Sequence, residues 1–183
     1  MLFRSVQDGR FELVFETHST TEDNEAGIST GWLPGRLSAT GREQARELGE
    51  RRRDDGLAAI FTPDLARSLE TVEIAFAGSE LPVVVDPRLR ECNYGELNGT
   101  PEPKRDRVAH VDVPYPGGES WRQAVERVVE FYEELRATRD GERLLVIGNI
   151  ATRLALDFLV TGRLLEELVA EPFSWQPGWE YGL

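Results

Sequence analysis

Short apolar runs, often β-branched, alternate along this chain with stretches that carry helix-start signals, and that alternation restricts the fold more than any other feature. Phe11-Glu12-Leu13-Val14-Phe15 opens the series and predicts a first strand over residues 11–17. Leu57-Ala58-Ala59-Ile60-Phe61 and Leu144-Leu145-Val146-Ile147 are apolar throughout, as strands buried on both faces are. Val83-Val84-Val85 is a β-branched strand between them. Thr40-Gly41-Arg42-Glu43 has the spacing of a capping box and predicts a helix running to Arg53. Thr62 suits an N-cap and Pro63 a first helical position, for a helix ending near Phe76. Ser120-Trp121-Arg122-Gln123 opens a long amphipathic helix to Thr138, and a further helix begins near Ala151. Strand and helix in alternation predict the α/β class, a three-layer α/β/α sandwich with a mainly parallel sheet.

The length of 183 residues suits one domain spanning 1–183. No run approaches the roughly 18 apolar residues of a membrane span, and Met1 to Arg10 lacks the apolar centre of a secretory signal. A cytoplasmic chain without membrane association is expected. The single cysteine, Cys92, has no partner for a disulfide or a metal cluster. A net charge of -12 argues against nucleic acid as a partner. A small anion remains compatible, provided arginines gather locally against the overall field.

In a parallel sheet the carboxyl ends of the strands share one edge, and ligands bind there. That edge collects Thr17 with His18, Thr62 with the helix start after it, and Gly148 with Asn149. The latter two are strand-to-helix junctions, whose free amides and positive dipole ends favour an anion. His18 is one of only two histidines in the chain. Taken alone, it reads more readily as a loop histidine with a local hydrogen bond. The stretch 88–118 is long, rich in Gly and Pro and irregular, the kind of loop that is usually functional.

These residues carry a resemblance. Thr17-His18-Ser19-Thr20-Thr21-Glu22-Asp23-Asn24 resembles the Arg-His-Gly-Glu-Thr-x-x-Asn signature of the histidine phosphatase superfamily, the phosphoglycerate mutase-like proteins. Leu37-Ser38 with Gly41-Arg42 and Gln44-Ala45, then Asp64-Leu65-Ala66-Arg67 with Thr71, are similar to its next two blocks. Leu89-Arg90-Glu91 with Gly95-Glu96-Leu97-Asn98-Gly99 resembles its acidic loop. Pro116-Gly117-Gly118-Glu119-Ser120 and Leu145-Val146-Ile147-Gly148 follow in the family's order. The resemblance implies a phosphoglycerate mutase-like fold, His18 as the nucleophile that takes a phosphoryl group, and Glu91 as the proton donor. It implies a phosphate pocket of Thr17, Asn24, Arg67 and Asn149, with no metal and no cofactor. A neutral imidazole with an ordinary pKa near 6.5 is a competent nucleophile, and fixed cations and amides stabilise the charge on the phosphoryl oxygens.

Two positions depart from the family pattern. Thr17 stands where an arginine precedes the nucleophile, and Asn149 where a second histidine ends the last core strand. The only other histidine is His110, in the long loop, where a structural or peripheral role is expected. A lost hydrogen bond to a charged group costs roughly 1.5–3 kcal/mol, about tenfold to a hundredfold in rate. Arg153, four residues beyond Asn149, is predicted to lean back and supply the missing charge. Arg36, Arg88 and Arg90 are candidates for a basic rim. Ile150 is a further departure, where a small or polar residue is usual.

Two functions remain open. One is a phosphatase hydrolysing a small phosphomonoester through a phosphohistidine, favoured over a mutase because the chain has no obvious extra domain. The alternative is an impaired or repurposed member that binds a phosphorylated or other anionic small molecule. The aromatic segment with Phe173, Trp175, Trp179 and Tyr181 is expected to form an edge strand, a tail closing the core or a homodimer contact, with a pocket wall as the sharper alternative.

Overall fold

The computed structural model describes residues 12–102 and 106–183. Phe11, the predicted start of the first strand, and the Met1 to Arg10 segment lie outside the described residues.

Strand β1 runs Glu12–Thr17, with Leu13, Val14 and Phe15 fully buried. Its parallel neighbour β6, Arg143–Gly148, is flanked in turn by β3, Ala59–Thr62, and β3 by β4, Val83–Val85. On the other side of β1 the aromatic segment supplies an antiparallel edge strand, β7, Trp179–Gly182. The order β4-β3-β6-β1-β7 is a mainly parallel sheet with one antiparallel edge.

Side chains alternate across a strand, and here each set meets its own layer of helices. Val14, Ile60, Leu145 and Ile147 join Leu48 of α2, Ala39–Arg52, and Val72 and Ala75 of α3, Ala66–Ala75. Leu13, Phe15, Phe61, Leu144 and Val146 face α4, Trp121–Thr138, and α5, Ile150–Thr161. Along α4, Trp121, Ala124, Val128, Phe131 and Leu135 repeat at helical spacing and are all buried, and Ser120 with Gln123 forms a capping box at the predicted start. Burying each such apolar side chain contributes about 1.5–3 kcal/mol. A short helix, α6, Leu165–Ala170, packs on α5. No helix among the described residues is long and apolar enough to cross a membrane.

Two helix starts differ from expectation. The cap of α2 is Ser38, whose hydroxyl accepts from the Gly41 amide at 3.0 Å, so Thr40 is already helical. Its extended backbone lets Ser38 reach that amide, and Glu43 turns to Arg46 instead of closing a box. Thr62 caps nothing: it pairs with Val85 as the last residue of β3, and α3 starts four residues later, after Leu65. The ladder to β4 holds Thr62 extended, which removes it from the helix.

The long stretch 88–118 contains short 3-10 turns at Gly95–Leu97 and Val108–His110. Between them β5, Thr100–Pro101, pairs with β2, Ile28–Ser29, which follows the one-turn helix α1, Glu22–Glu25. That ribbon ties the loop after β1 to the loop before α4. At Gly95 the backbone has φ +54, and a Cβ would stand 2.1 Å from the Pro116 carbonyl oxygen. Only glycine lets these two turns close on each other.

Candidate active site

The β1–β6 register sets Thr17 opposite Gly148, and the His18 amide donates to the Gly148 carbonyl at 2.9 Å. His18 and Asn149 therefore leave adjacent strands side by side. The turn after His18 is pinned from both neighbouring helices. The Ser19 amide donates to Thr71 Oγ1 at 3.0 Å and the Thr20 amide to Gln44 Oε1 at 3.0 Å. Helix α2 comes so near that a Cβ on Gly41 would lie 1.9 Å from the Thr20 carbonyl oxygen. Gly41, Gln44 and Thr71, which stood out only as parts of a sequence pattern, thus hold the turn that follows His18.

His18 Nδ1 lies 2.8 Å from the Ser19 carbonyl, which places the ring proton on Nδ1 and leaves the lone pair on Nε2. That lone pair accepts from Arg67 Nε at 3.2 Å. Burial, then the Arg67 charge, lower the His18 pKa to about 3, against the opposing pull of the Ser19 carbonyl. The imidazole is neutral at physiological pH, and its Nε2 meets Arg67 on the cavity wall.

Arg67, on the first turn of α3, is almost wholly buried. Its Nη1 donates to the Leu33 carbonyl at 3.2 Å; its Nη2 donates to the Gly31 carbonyl at 2.8 Å and to Asn149 Oδ1 at 3.1 Å. Burial lowers its pKa, and the Glu91, Tyr94 and Asp23 fields oppose that. Asn149 also donates through Nδ2 to the Leu89 carbonyl at 3.3 Å. Both ends of the amide are engaged by the protein, and Asn149 acts as a bracket that orients Arg67.

Glu91 lies against the start of α5. Its Oε1 accepts from the Cys92 and Ala151 amides, each at 3.0 Å, and its Oε2 from the Ile150 amide at 3.3 Å. The amides predicted to be free for an outside anion are thus occupied by the protein's own carboxylate, as the dipole of α5 favours. The Glu91 carbonyl is tied to Trp32 Nε1 at 2.7 Å.

Thr17, His18, Asn24, Arg67, Glu91 and Asn149 all line one cavity of about 960 Å³ at the carboxyl edge. Asn24 shares a reciprocal cap with Thr21, both bonds at 3.0 Å. Arg153 is the exception among the predicted residues and is not on the cavity wall. It faces Asp157 at 3.3 Å, one turn further along α5, and its guanidinium lies 4.7 Å from the Trp179 ring centroid. The carboxylate and the aromatic face of β7 draw it away from the strand end. Arg36, Arg88 and Arg90 pair with Glu22, Asp86 and Asp64, and none lines the cavity. His110 stacks on Tyr115 with centroids 3.9 Å apart, a peripheral place.

The cavity has walls that sequence reasoning missed or ranked low. Phe173 and Trp175, ahead of β7, line it while remaining 39% and 56% exposed, so the aromatic segment supplies both an edge strand and a wall. Arg107 lines it too, and nothing in the sequence separated that arginine from the charges around it. Among the described residues no group of three or more His, Cys, Asp or Glu is placed to hold a metal.

Comparison with known proteins places the chain in a family. The profile of the histidine phosphatase superfamily (branch 1) matches residues 13–167, and the chain belongs to that superfamily. It is 31% identical over 154 residues to a 2,3-bisphosphoglycerate-dependent phosphoglycerate mutase of Parvibaculum lavamentivorans, covering 75% of this chain and 73% of that one. A protein of the same description from a Methylobacterium species is 31% identical over 174 residues, covering 85% and 83%. Among solved structures, YhfR of Bacillus stearothermophilus superposes with a TM-score of 0.83 at 26% identity, covering 93% of this chain and 90% of that one. A mycobacterial glucosyl-3-phosphoglycerate phosphatase shares the fold, with a TM-score of 0.77 at 23% identity over 87% and 86% of the two chains.

Proposed function

We propose that this protein is a phosphomonoesterase that hydrolyses a small phosphorylated metabolite through a phosphohistidine on His18. The observation that carries the reading is the state of His18: a neutral ring with its proton on Nδ1, and Nε2 facing a cavity beside the buried Arg67. Nε2 attacks phosphorus as the ester P–O bond breaks, and the leaving oxygen takes a proton from Glu91. Water then attacks the phosphohistidine, returns a proton to Glu91 and releases phosphate. Arg67 supplies positive charge to the phosphoryl oxygens, with Thr17 and Asn24 as neutral donors. Glu91 Oε2, with one long amide contact at 3.3 Å, is the oxygen suited to exchange the proton.

A second reading, binding of a phosphorylated ligand without turnover, is favoured by one observation. Asn149 supplies no cation, and both of its polar atoms are already engaged by Arg67 and Leu89.

A panel of phosphorylated metabolites assayed with wild type, His18→Ala and Asn149→His separates the two. Phosphate release lost in His18→Ala, with a phosphoryl group trapped on His18 in wild type, supports hydrolysis. Turnover untouched by that substitution overturns it, and ligand-induced stabilisation without phosphate release supports the second reading.

A further inference from the structure

Two aromatic rings on the cavity wall have no part in the phosphoryl chemistry described above. Phe173 and Trp175 line the cavity and stay exposed, and Trp175 also lines a narrow crevice with Thr17 and His18, so its indole stands beside the histidine. Both are held from behind. The Arg153 guanidinium lies 5.9 Å from the Phe173 ring centroid and 4.7 Å from that of Trp179, and Asp157 fixes it at 3.3 Å. Trp179 in turn lies 6.1 Å from Phe173, centroid to centroid. Beyond Trp175 the chain turns through Gly178, with φ +86, and the Pro177 carbonyl accepts from Arg52 Nη2 at 3.4 Å. Arg52 is itself bound to the buried Glu16 at 2.8 Å. Rings fixed in this way form a prepared surface, because little side-chain freedom is left to lose when a ligand packs on them.

The wall around these rings is apolar. Ile150, which stands where a small or polar residue is usual, lines the same cavity, as does Ile28. A planar ring stacked on Trp175 brings the oxygen it bears within reach of His18, because the two residues share the crevice. The chemistry of the site favours the same kind of group. Thr17 and Asn149 supply no cation, and the oxygens of Glu91 are already shared by the Cys92, Ile150 and Ala151 amides. A site furnished in this way suits a leaving oxygen that holds negative charge by itself. An aromatic alcohol does so: the ring shares the charge, and the phenol of tyrosine ionises with an ordinary pKa of about 10, far below that of an aliphatic alcohol.

We propose that Phe173 and Trp175 are the binding surface for an aromatic leaving group, so that the preferred substrate is the phosphate ester of a phenol. This rests on the phosphomonoesterase reading for the attack by His18. As Nε2 forms its bond to phosphorus, the ester P–O bond breaks and its electron pair goes to the aryl oxygen. That oxygen takes its proton from Glu91 after most of the bond has broken, so its departure depends less on the proton than the departure of an alkyl oxygen does. Water then releases phosphate from His18 as before.

The test compares phenyl phosphate with cyclohexyl phosphate, which are close in size and differ in planarity. Binding is measured by calorimetry on His18→Ala protein, with the wall intact and with Trp175→Leu or Phe173→Leu added. With the wall intact, phenyl phosphate binds about threefold to tenfold more tightly, the worth of an aromatic pair beyond its buried area, and Trp175→Leu brings the ratio near one. Equal binding of the two esters, no binding of either, or a ratio that survives both leucine variants overturns the proposal. The phenol assignment is read from phosphate release by protein that keeps His18, with phenyl and benzyl phosphates, since only the first departs as a phenol. Glu91→Gln slows release from benzyl phosphate by about a hundredfold and from phenyl phosphate by about tenfold or less. Equal slowing of the two overturns the assignment. Release from neither ester by the wild-type protein, alongside an intact phenyl preference in binding, counts against the hydrolase reading and leaves the aromatic surface standing.

Discussion

Arg67 donates its Nε–H to His18 Nε2 at 3.2 Å, so the pocket's buried cation and its histidine hold each other. Three more of its N–H groups go to Gly31, Leu33 and Asn149, and the arginine is therefore set in place by the protein and not by substrate. In the reaction proposed above, the Nε–H has only to pass from the imidazole to a phosphoryl oxygen. The guanidinium need not reorient, which is the economy that preorganised sites depend on.

Arg67→Lys keeps the charge and cannot span His18, two loop carbonyls and Asn149 at once. Steady-state kinetics should show kcat/KM falling by about a hundredfold, with much of the loss in kcat. A lysine variant within about twofold of wild type would mean that charge alone is what the pocket needs.

His18 has a folded pKa of about 3, below its ordinary 6.5. Between those values the unfolded chain binds a proton that folded His18 does not. The contribution to stability is therefore intact above 6.5 and is lost progressively as pH falls from 6.5 toward 3. In NMR spectra the imidazole signals that disappear in His18→Ala should not move between about pH 5 and 8. A titration midpoint near 6.5 would contradict the burial and Arg67 contact described for this ring.

Trp32→Phe removes the indole N–H that donates to the Glu91 carbonyl at 2.7 Å and keeps one aromatic ring of the two. Stability should drop by about 0.5–1.5 kcal/mol in urea titrations. Because Trp32 also sits in the loop whose carbonyls grip Arg67, kcat should fall by more than KM changes. Unaltered kcat would confine Trp32 to a packing role.

Gly95→Ala forces a side chain into a backbone with φ +54 and against the Pro116 carbonyl, 2.1 Å away. A melting experiment should show a loss beyond the roughly 1 kcal/mol that a left-handed alanine alone costs, since the turns must also separate. Turnover should decline with it, because the same loop carries Glu91.

Much of this was legible in the residues. The apolar runs at Leu57–Phe61 and Leu144–Ile147 gave buried parallel strands because nothing else accommodates them. The start of α4 at Ser120 was read correctly, and the structure adds that Gln123 closes a capping box there. Thr62 misled, since a threonine before a proline is a good cap locally and only the ladder to Val85 shows that the strand claims it. Arg153 misled for a similar reason. Its spacing from Asn149 is right for leaning back, but Asp157 and Trp179 compete for it, and the position of Trp179 depends on a strand that pairs across the fold. Arg107 had no local signature, because its meaning comes from a cavity and from Trp121, both set by tertiary contacts.

The placement of β1 in the sheet governs how the molecule can reach its working state. Both neighbours of β1 come from distant parts of the chain: Glu12 meets Arg143 across a separation of 131 residues, and β7 lies further on still. Pairing over such distances closes large loops before any contact rewards it, and it slows folding. His18 thus acquires its neighbours late, when β6 docks and brings Asn149 beside it. An early, collapsed intermediate would hold helices and hydrophobic clusters yet have no pocket, so regain of ligand binding during refolding should lag behind regain of helical signal.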